Sequence, residues 1–242
     1  MDWGTGITYI GNTSFKGKDV NFGIKDADRL QHISLFGKTG SGRTAFLTSM
    51  ILQDIKRGVG TVVLDAVGNL SELLMERLDE SARARLVYID PSDAEYPFSW
   101  NSFDDLRALP EERAVPLLAQ YYVSIYRLRP SPLTDFFAEH AFRISEATLL
   151  SLYDVVTDIA SRDRFFSPES AERTRFEEAL RASEEAVETV KRNGRYLAKD
   201  TLMRNILGQR VSKFTLRSLA EGAIVIVDLS RVRMFPTRFT PS

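Results

Sequence analysis

The stretch "LFGKTGSGRT", residues 35–44, constrains this chain more than any other part of it. The pattern G-x-x-x-x-G-K-[ST] marks a phosphate-binding loop. Gly37 opens it, Gly42 closes it and Thr44 fills the last position, but Arg43 stands where the pattern has lysine. Such a loop works in one setting: it follows a strand, opens a helix and leads by a crossover to a parallel strand. Before the loop, "HISLF" predicts a short strand. After it, "RTAFLTSMILQDIKR" places Leu47, Met50, Ile51 and Ile55 on one helical face. "GVG" stops that helix, and "TVVLD" is a continuous, largely β-branched run of the kind buried in parallel sheets.

The alternation continues. "NLSELLMERLDESARA" reads as a second amphipathic helix and "RLVYID" as a third strand, ended by Pro91. Strands and helices in turn imply a parallel sheet. From residue 103 the strands disappear. "PEERAVPLLAQYYVSIYRLR" repeats apolar side chains at Ala114, Leu118, Tyr121, Ile125 and Leu128. "LTDFFAEHAFRI" and "TLLSLYDVVTDIA" follow as helices, and "SPESAERTRFEEALRASEEAVETVKR" predicts one long charged helix. Strand texture returns in "GAIVIVDLS" at 222–230. The expected class is α/β, a parallel-sheet core interrupted by an all-helical insertion. The expected organisation is an N-terminal β segment at 1–30 with strand-like "ITYIG" and "VNFGI", and the first part of the nucleotide-binding core at 31–102. The insertion then spans 103–212 and the return strand 213–242.

Composition excludes several classes of function. The net charge is −1, so any nucleic-acid contact must come from a local patch. There are no cysteines, hence no disulfide and no thiolate metal site, and His32 and His140 alone cannot build a multi-histidine centre. No apolar run approaches the ~20 residues needed to span a bilayer, and the first residues lack the basic start and apolar stretch of a secretory signal. The expected compartment is the cytoplasm.

The chemistry of the loop follows from its residues. Glycines let the backbone turn its N–H groups inward around phosphates, and the positive end of the following helix adds a favourable field. Thr44 would place its hydroxyl on Mg²⁺. Lysine is a compact point charge on a flexible stem, whereas arginine is a planar fork. Arg43 therefore keeps the charge but does not fit the same slot, and the expectation is weakened binding with hydrolysis impaired further. A glycine-rich helix start without any ligand would carry the same glycines. Three strands end in aspartate, at Asp65, Asp90 and Asp228, where the carboxyl ends of parallel strands line a ligand crevice. Their successors are Ala66, Pro91 and Leu229, so none is followed by the glutamate that would activate water. Each could equally cap the next turn, and no residue stands out as catalytic.

Taken together, these segments resemble the HerA/FtsK-type ATPases, in the branch of type IV secretion (conjugative) coupling proteins and their relatives. The D-R-x-x-H approach of that branch is matched by Asp28, Arg29 and His32, and its GKTGSGKS loop is matched except at Arg43 and in having Thr44. Its D-P-H-G-D-L turn is matched by Asp65, Gly68 and Leu70, while Ala66, Val67 and Asn69 depart from it. The aspartate-proline turn at Asp90 and Pro91 and the asparagine at Asn101 also match, and "NILGQRVSKFTLRSLAEGAIVIVDLSRVR" resembles the return strand after the insertion. The resemblance implies a RecA-like core binding ATP and Mg²⁺ through Gly37, Lys38, Thr39, Gly40, Ser41, Gly42, Arg43, Thr44 and Asp65, with Thr44 on the metal. It further implies a homo-oligomeric ring, usually hexameric, that moves DNA and works with secretion or DNA-processing partners. In these ATPases the acidic Walker B strand and the arginine finger lie beyond the strand matched by "IVIVDLS". The chain stops at Ser242 and is expected to be the front part of such a motor, without a membrane anchor.

A basic stretch points to DNA independently. Residues 189–217 hold Lys191, Arg192, Arg195, Lys199, Arg204, Arg210, Lys213 and Arg217 against one acid, Asp200. The first five are the candidate phosphate contacts. The same charges could instead form a solvated surface paired with the acidic helix before them. Two other classes remain: a non-hydrolysing nucleotide-binding interaction module, and a small-molecule kinase, which would share the loop.

Overall fold

The computed structural model describes residues 6–232. The outermost parts of the first and last expected segments, 1–5 and 233–242, lie outside the described residues. The chain divides into two compact units. One, Met1–Asp90 with Arg217–Ser242, carries the strands; the other, Pro91–Leu216, is helical.

In the first unit, β1 (Ile7–Phe15) and β2 (Lys18–Lys25) form an antiparallel hairpin with an irregularity between Tyr9 and Gly11. A single turn, α1 (Asp26–Arg29), leads to the glycine loop. Then come α2 (Arg43–Lys56), β3 (Thr61–Asp65), α3 (Asn69–Arg77), the short α4 (Glu80–Arg83) and β4 (Leu86–Ile89). The second unit contributes α5 (Ser102–Leu106), α6 (Glu111–Tyr126), α7 (Pro132–Phe142), α8 (Ser151–Thr157) and α9 (Ile159–Phe165). It continues through α10 (Ala171–Arg181), α11 (Glu184–Lys199) and α12 (Thr201–Leu207). The chain returns to the first unit with the short α13 (Arg217–Ala220) and β5 (Ile224–Asp228).

The sheet runs β3-β5-β4, all parallel, so the returning strand inserts between the two formed before the helical excursion. Its core follows the run "IVIVD": Ile224 and Ile226 are fully buried against Ile55, Val63 and Leu74. β3 is an edge strand and leaves Val62 and Leu64 exposed. The expected strand at 32–36 does not form. A strand exists only as part of a ladder, and among the described residues no strand pairs with this segment; Phe36 stands 89% exposed.

Ion pairs tie the hairpin side of this unit to α2. Arg29 binds Asp54 bidentately, at 2.7 Å and 2.5 Å, and Arg57 donates to both Asp54 and Asp26. Thr8 Oγ1 accepts from Arg29 and Arg57 as well. Arg29 of the loop approach thus belongs to a scaffold that holds the far end of the helix on which the loop sits.

The helical unit has its own core of Phe103, Leu118, Tyr122, Phe137, Phe166 and Phe176, with Phe166 and Phe176 stacked at 4.7 Å. Three expectations shift here, the first being the helix expected over 148–160, which is broken at Asp158 into α8 and α9. In α6 the buried face is Ala114, Leu118, Tyr122 and Tyr126, while Tyr121 is 39% exposed. The long charged helix is broken at Ala182 and Ser183 into α10 and α11, because buried Ser183 turns its hydroxyl to accept from the Leu133 N–H. Farther along, α11 crosses α8 at Gly194, where a Cβ would sit 2.3 Å from the Tyr153 ring.

Candidate functional site

The loop is built by backbone geometry. Gly40 and Gly42 take left-handed φ values of 80° and 86°, which a side chain would resist. Gly42 is the N-cap of α2 and makes no side-chain cap, so the first N–H groups of a 14-residue helix are left to an outside acceptor. A Cβ on Gly37 would meet Ser41 Oγ at 2.4 Å and the Arg43 Cγ at 3.3 Å, so the stem of Arg43 packs over the first glycine. Arg43 is exposed and forms no ion pair among the described residues. The Thr44 hydroxyl makes no hydrogen bond among them either; its carbonyl accepts from Thr48 at 2.8 Å.

A cavity of about 690 Å³ opens over this loop. Thr39, Gly40, Ser41, Gly42, Arg43 and Thr44 line one side, and Asp65, Val67, Asn69 and Leu70 the other. Gly37 and Lys38 do not line it. The second side is a second helix start: Gly68, at φ 92°, caps α3 without a side-chain bond. The left-handed glycine loop and the open start of α2 make an anion-binding surface on one side of the cavity, while at α3 the Ser71 N–H is already taken by Asp65.

Asp65 sits at the end of β3 with both oxygens engaged. Oδ1 accepts from the Val67 N–H at 3.0 Å, and Oδ2 from the Ser71 N–H at 2.8 Å and hydroxyl at 3.0 Å. Burial pushes its carboxyl up, but the Ser71, Val67 and Gly68 donors outweigh burial and hold it below the usual carboxylate range. Its partner across the ladder is Asp228. There burial again opposes ionisation, and the Ser230 and Tyr88 donors overcome it despite the Asp65 charge. The Tyr88 hydroxyl donates to Asp228 Oδ2 at 2.8 Å, and burial together with that carboxylate pushes the phenol up to about 12. Arg231 reaches Asp90 at 3.7 Å. The three strand-end aspartates thus lie along one sheet edge, but only Asp65 lines the loop cavity. Tyr88, Ser71 and Ser230, which hold this pair, carry no motif of their own.

The basic stretch divides on inspection. Arg192, Arg195 and Lys199 are exposed on α11 at spacings of one face. Lys191 is bound to Glu188 at 2.8 Å, and Arg204 belongs to α12. Asn101 is structural: it caps α5 and donates to the Ala147 and Arg210 carbonyls. Among the described residues no helix is long and apolar enough to cross a membrane, and no group of three or more His, Cys, Asp or Glu could hold a metal.

The family model described as "Helicase HerA, central domain" matches residues 8–235. No curated protein matches the chain. A solved bacterial conjugative coupling protein, TrwBΔN70 in an unbound monoclinic form, is similar at 17% identity with a TM-score of 0.44. That match covers 79% of this chain and 44% of the other, so the chain spans less than half the length of that protein.

Proposed function

Because the chain belongs to the family of the HerA helicase central domain, we propose that it is the ATP-binding module of a motor that moves DNA, of the kind used in conjugative transfer. One observation carries this reading: the cavity in which the glycine loop, the starts of α2 and α3, and Asp65 converge. The loop amides and the start of α2 would hold the phosphates, with Arg43 beside the terminal ones. The unengaged Thr44 hydroxyl would ligate Mg²⁺, whose charge neutralises the transferring phosphate. Asp65, whose oxygens already accept from Val67 and Ser71, would act through the metal's water shell. Asp65 suits this role because its donors keep it ionised.

Turnover by this chain alone is slow. Arg43 replaces the compact lysine charge with a wider fork. Ala66, Pro91 and Leu229 follow the strand-end aspartates where a water-orienting glutamate would stand. An arginine finger supplied by a neighbouring subunit contributes ~10³–10⁵ in rate, so a homo-oligomeric ring, hexameric as the sequence resemblance implies, is the active form. DNA phosphates would be met by Arg192, Arg195 and Lys199 on α11 and by Arg204 on α12, with Lys191 weakened by its pairing to Glu188. Arg43 in place of the lysine also favours a second reading, a nucleotide-binding interaction module that never hydrolyses.

Phosphate release with and without DNA separates the two. A motor module shows slow release that disappears in Thr44→Ala. No release under any condition, with ATP still bound, favours the interaction module.

A further inference from the structure

The helical unit contains a second cavity, of about 300 Å³, that the ATP site does not explain. Apolar Ile144, Leu150, Phe165 and Ala198 line it beside the hydroxyl residues Thr148, Ser151 and Ser161. Half-buried in it lies Asp154 of α8, whose carboxylate receives no hydrogen bond among the described residues. Burial pushes that carboxyl above the usual range, and the charges of Arg164 and Arg210 draw it back only in part. Exposed arginines line the same cavity. Arg164 donates to the Ser161 hydroxyl at 3.1 Å, Arg210 is paired with Glu146 at 3.2 Å, and Arg204 has no ion-pair partner among the described residues.

These features set the chemistry of a ligand. The carboxylate is short of donors, so the ligand must bring N–H groups to it. The apolar side chains ask for a flat, weakly polar body, and Arg204 and Arg164 ask for an anion. Among nucleobases, guanine alone presents two adjacent N–H donors on its Watson–Crick edge. Adenine and cytosine set a ring acceptor beside their amino group, and thymine flanks its one N–H with carbonyls. We propose that this cavity binds a guanine nucleotide, Asp154 accepting from the two N–H groups of the base while Arg204 and Arg164 hold the phosphate.

The nucleotide has two possible sources: a free guanosine phosphate, or a guanine splayed out of a single strand. The first stands independently of DNA contact through α11; the second rests on it.

The test uses the full chain, with titration calorimetry of guanosine, inosine and adenosine monophosphates. Fluorescence anisotropy is run in parallel on a dT oligomer and the same oligomer with one central dG. Guanosine monophosphate is expected to bind tighter than inosine monophosphate, which lacks one donor. Asp154→Asn should weaken guanine binding about tenfold or more and leave Mg-ATP binding at the glycine loop unchanged. Loss of a dG preference in Asp154→Asn would assign the strand source. Loss of free nucleotide affinity, without any dG preference, would assign the free one. Should Asp154→Asn fail to fold, Arg204→Ala decides through free guanosine monophosphate binding, because that side chain is exposed and forms no ion pair among the described residues. Reversal of Arg195 and Lys199 to glutamate tests DNA contact alone and should not move guanosine monophosphate binding. Guanine binding, free and in the strand, that is absent or unchanged in both cavity variants would overturn the proposal.

Discussion

Replacing Asp54 with alanine removes the carboxylate that holds both Arg29 and Arg57. Its Oδ2 accepts from Arg29 Nη2 at 2.5 Å, and its Oδ1 from Arg29 Nη1 at 2.7 Å and Arg57 Nη2 at 2.5 Å. The Arg29 and Asp54 side chains are 22% and 13% exposed, so the pair is largely removed from water. Breaking a fully buried pair by deleting one partner costs ~3–5 kcal/mol, because the other charge is stranded. Arg29 is not fully buried, and it keeps Thr8 at 2.6 Å and Asp26 at 3.7 Å. Its Nε, already buried without a partner, offers no further relief. The expected loss is therefore ~2–3 kcal/mol. Deleting both charges, as Arg29→Met with Asp54→Leu, leaves Arg57 paired with Asp26 at 3.0 Å and should cost ~1 kcal/mol or less. Hydrogen exchange read by mass spectrometry over β1 and α2 measures the opening free energy of this unit. A single-mutant loss below ~0.5 kcal/mol, or a double mutant as damaged as the single, would refute the reasoning that desolvation governs this network.

The remaining predictions concern pH and DNA. Asp54, Asp65 and Asp228 all have folded carboxyl pKa values below their ordinary ones. Their stabilisation is therefore complete above the unfolded value near ~4 and is lost as pH falls through the lower folded values. Acid unfolding of the strand-bearing unit, followed by hydrogen exchange, should begin below pH ~4. Stability that held flat to pH ~2 would contradict those shifts. Asp154 has the opposite sign: its raised folded value contributes stability at low pH that is lost as pH rises through it. Sequence-independent DNA binding should weaken steeply with salt, and reversal of Arg192, Arg195 and Lys199 to glutamate should flatten that salt slope; a slope unchanged in the triple variant would move DNA contact away from α11.

The local pattern made much of this molecule legible. The loop, the helix after it and the strands "TVVLD", "LVYI" and "IVIVD" all lie where periodicity and punctuation put them, because each is a short stretch governed by its own neighbours. What was not legible depends on distant partners. Residues 32–36 have the composition of a strand, but no neighbouring strand receives them. The break at Ser183 follows from a hydroxyl bound to Leu133, fifty residues away in sequence. In α6 the spacing admits either Tyr121 or Tyr122 on the inner face, and the ring contact of Tyr122 with Phe137 at 5.5 Å accompanies the choice of Tyr122. At the site, Asp65 was visible as a strand-end acid, but its Ser71 clamp and the Tyr88 bond to Asp228 were not, since both require the folded sheet edge.

We propose that residues 37–44 with Asp65 form a working nucleotide site despite Arg43. Titration of Mg-ATP into the chain by calorimetry tests it directly. One site of modest affinity is expected, tightened several-fold by Arg43→Lys, because a compact ammonium approaches the terminal phosphates more closely than a planar fork, and weakened by Asp65→Asn. No binding heat with either the native chain or Arg43→Lys, in protein whose sheet unit is folded by hydrogen exchange, would contradict it and leave the glycine loop as a helix start without a ligand.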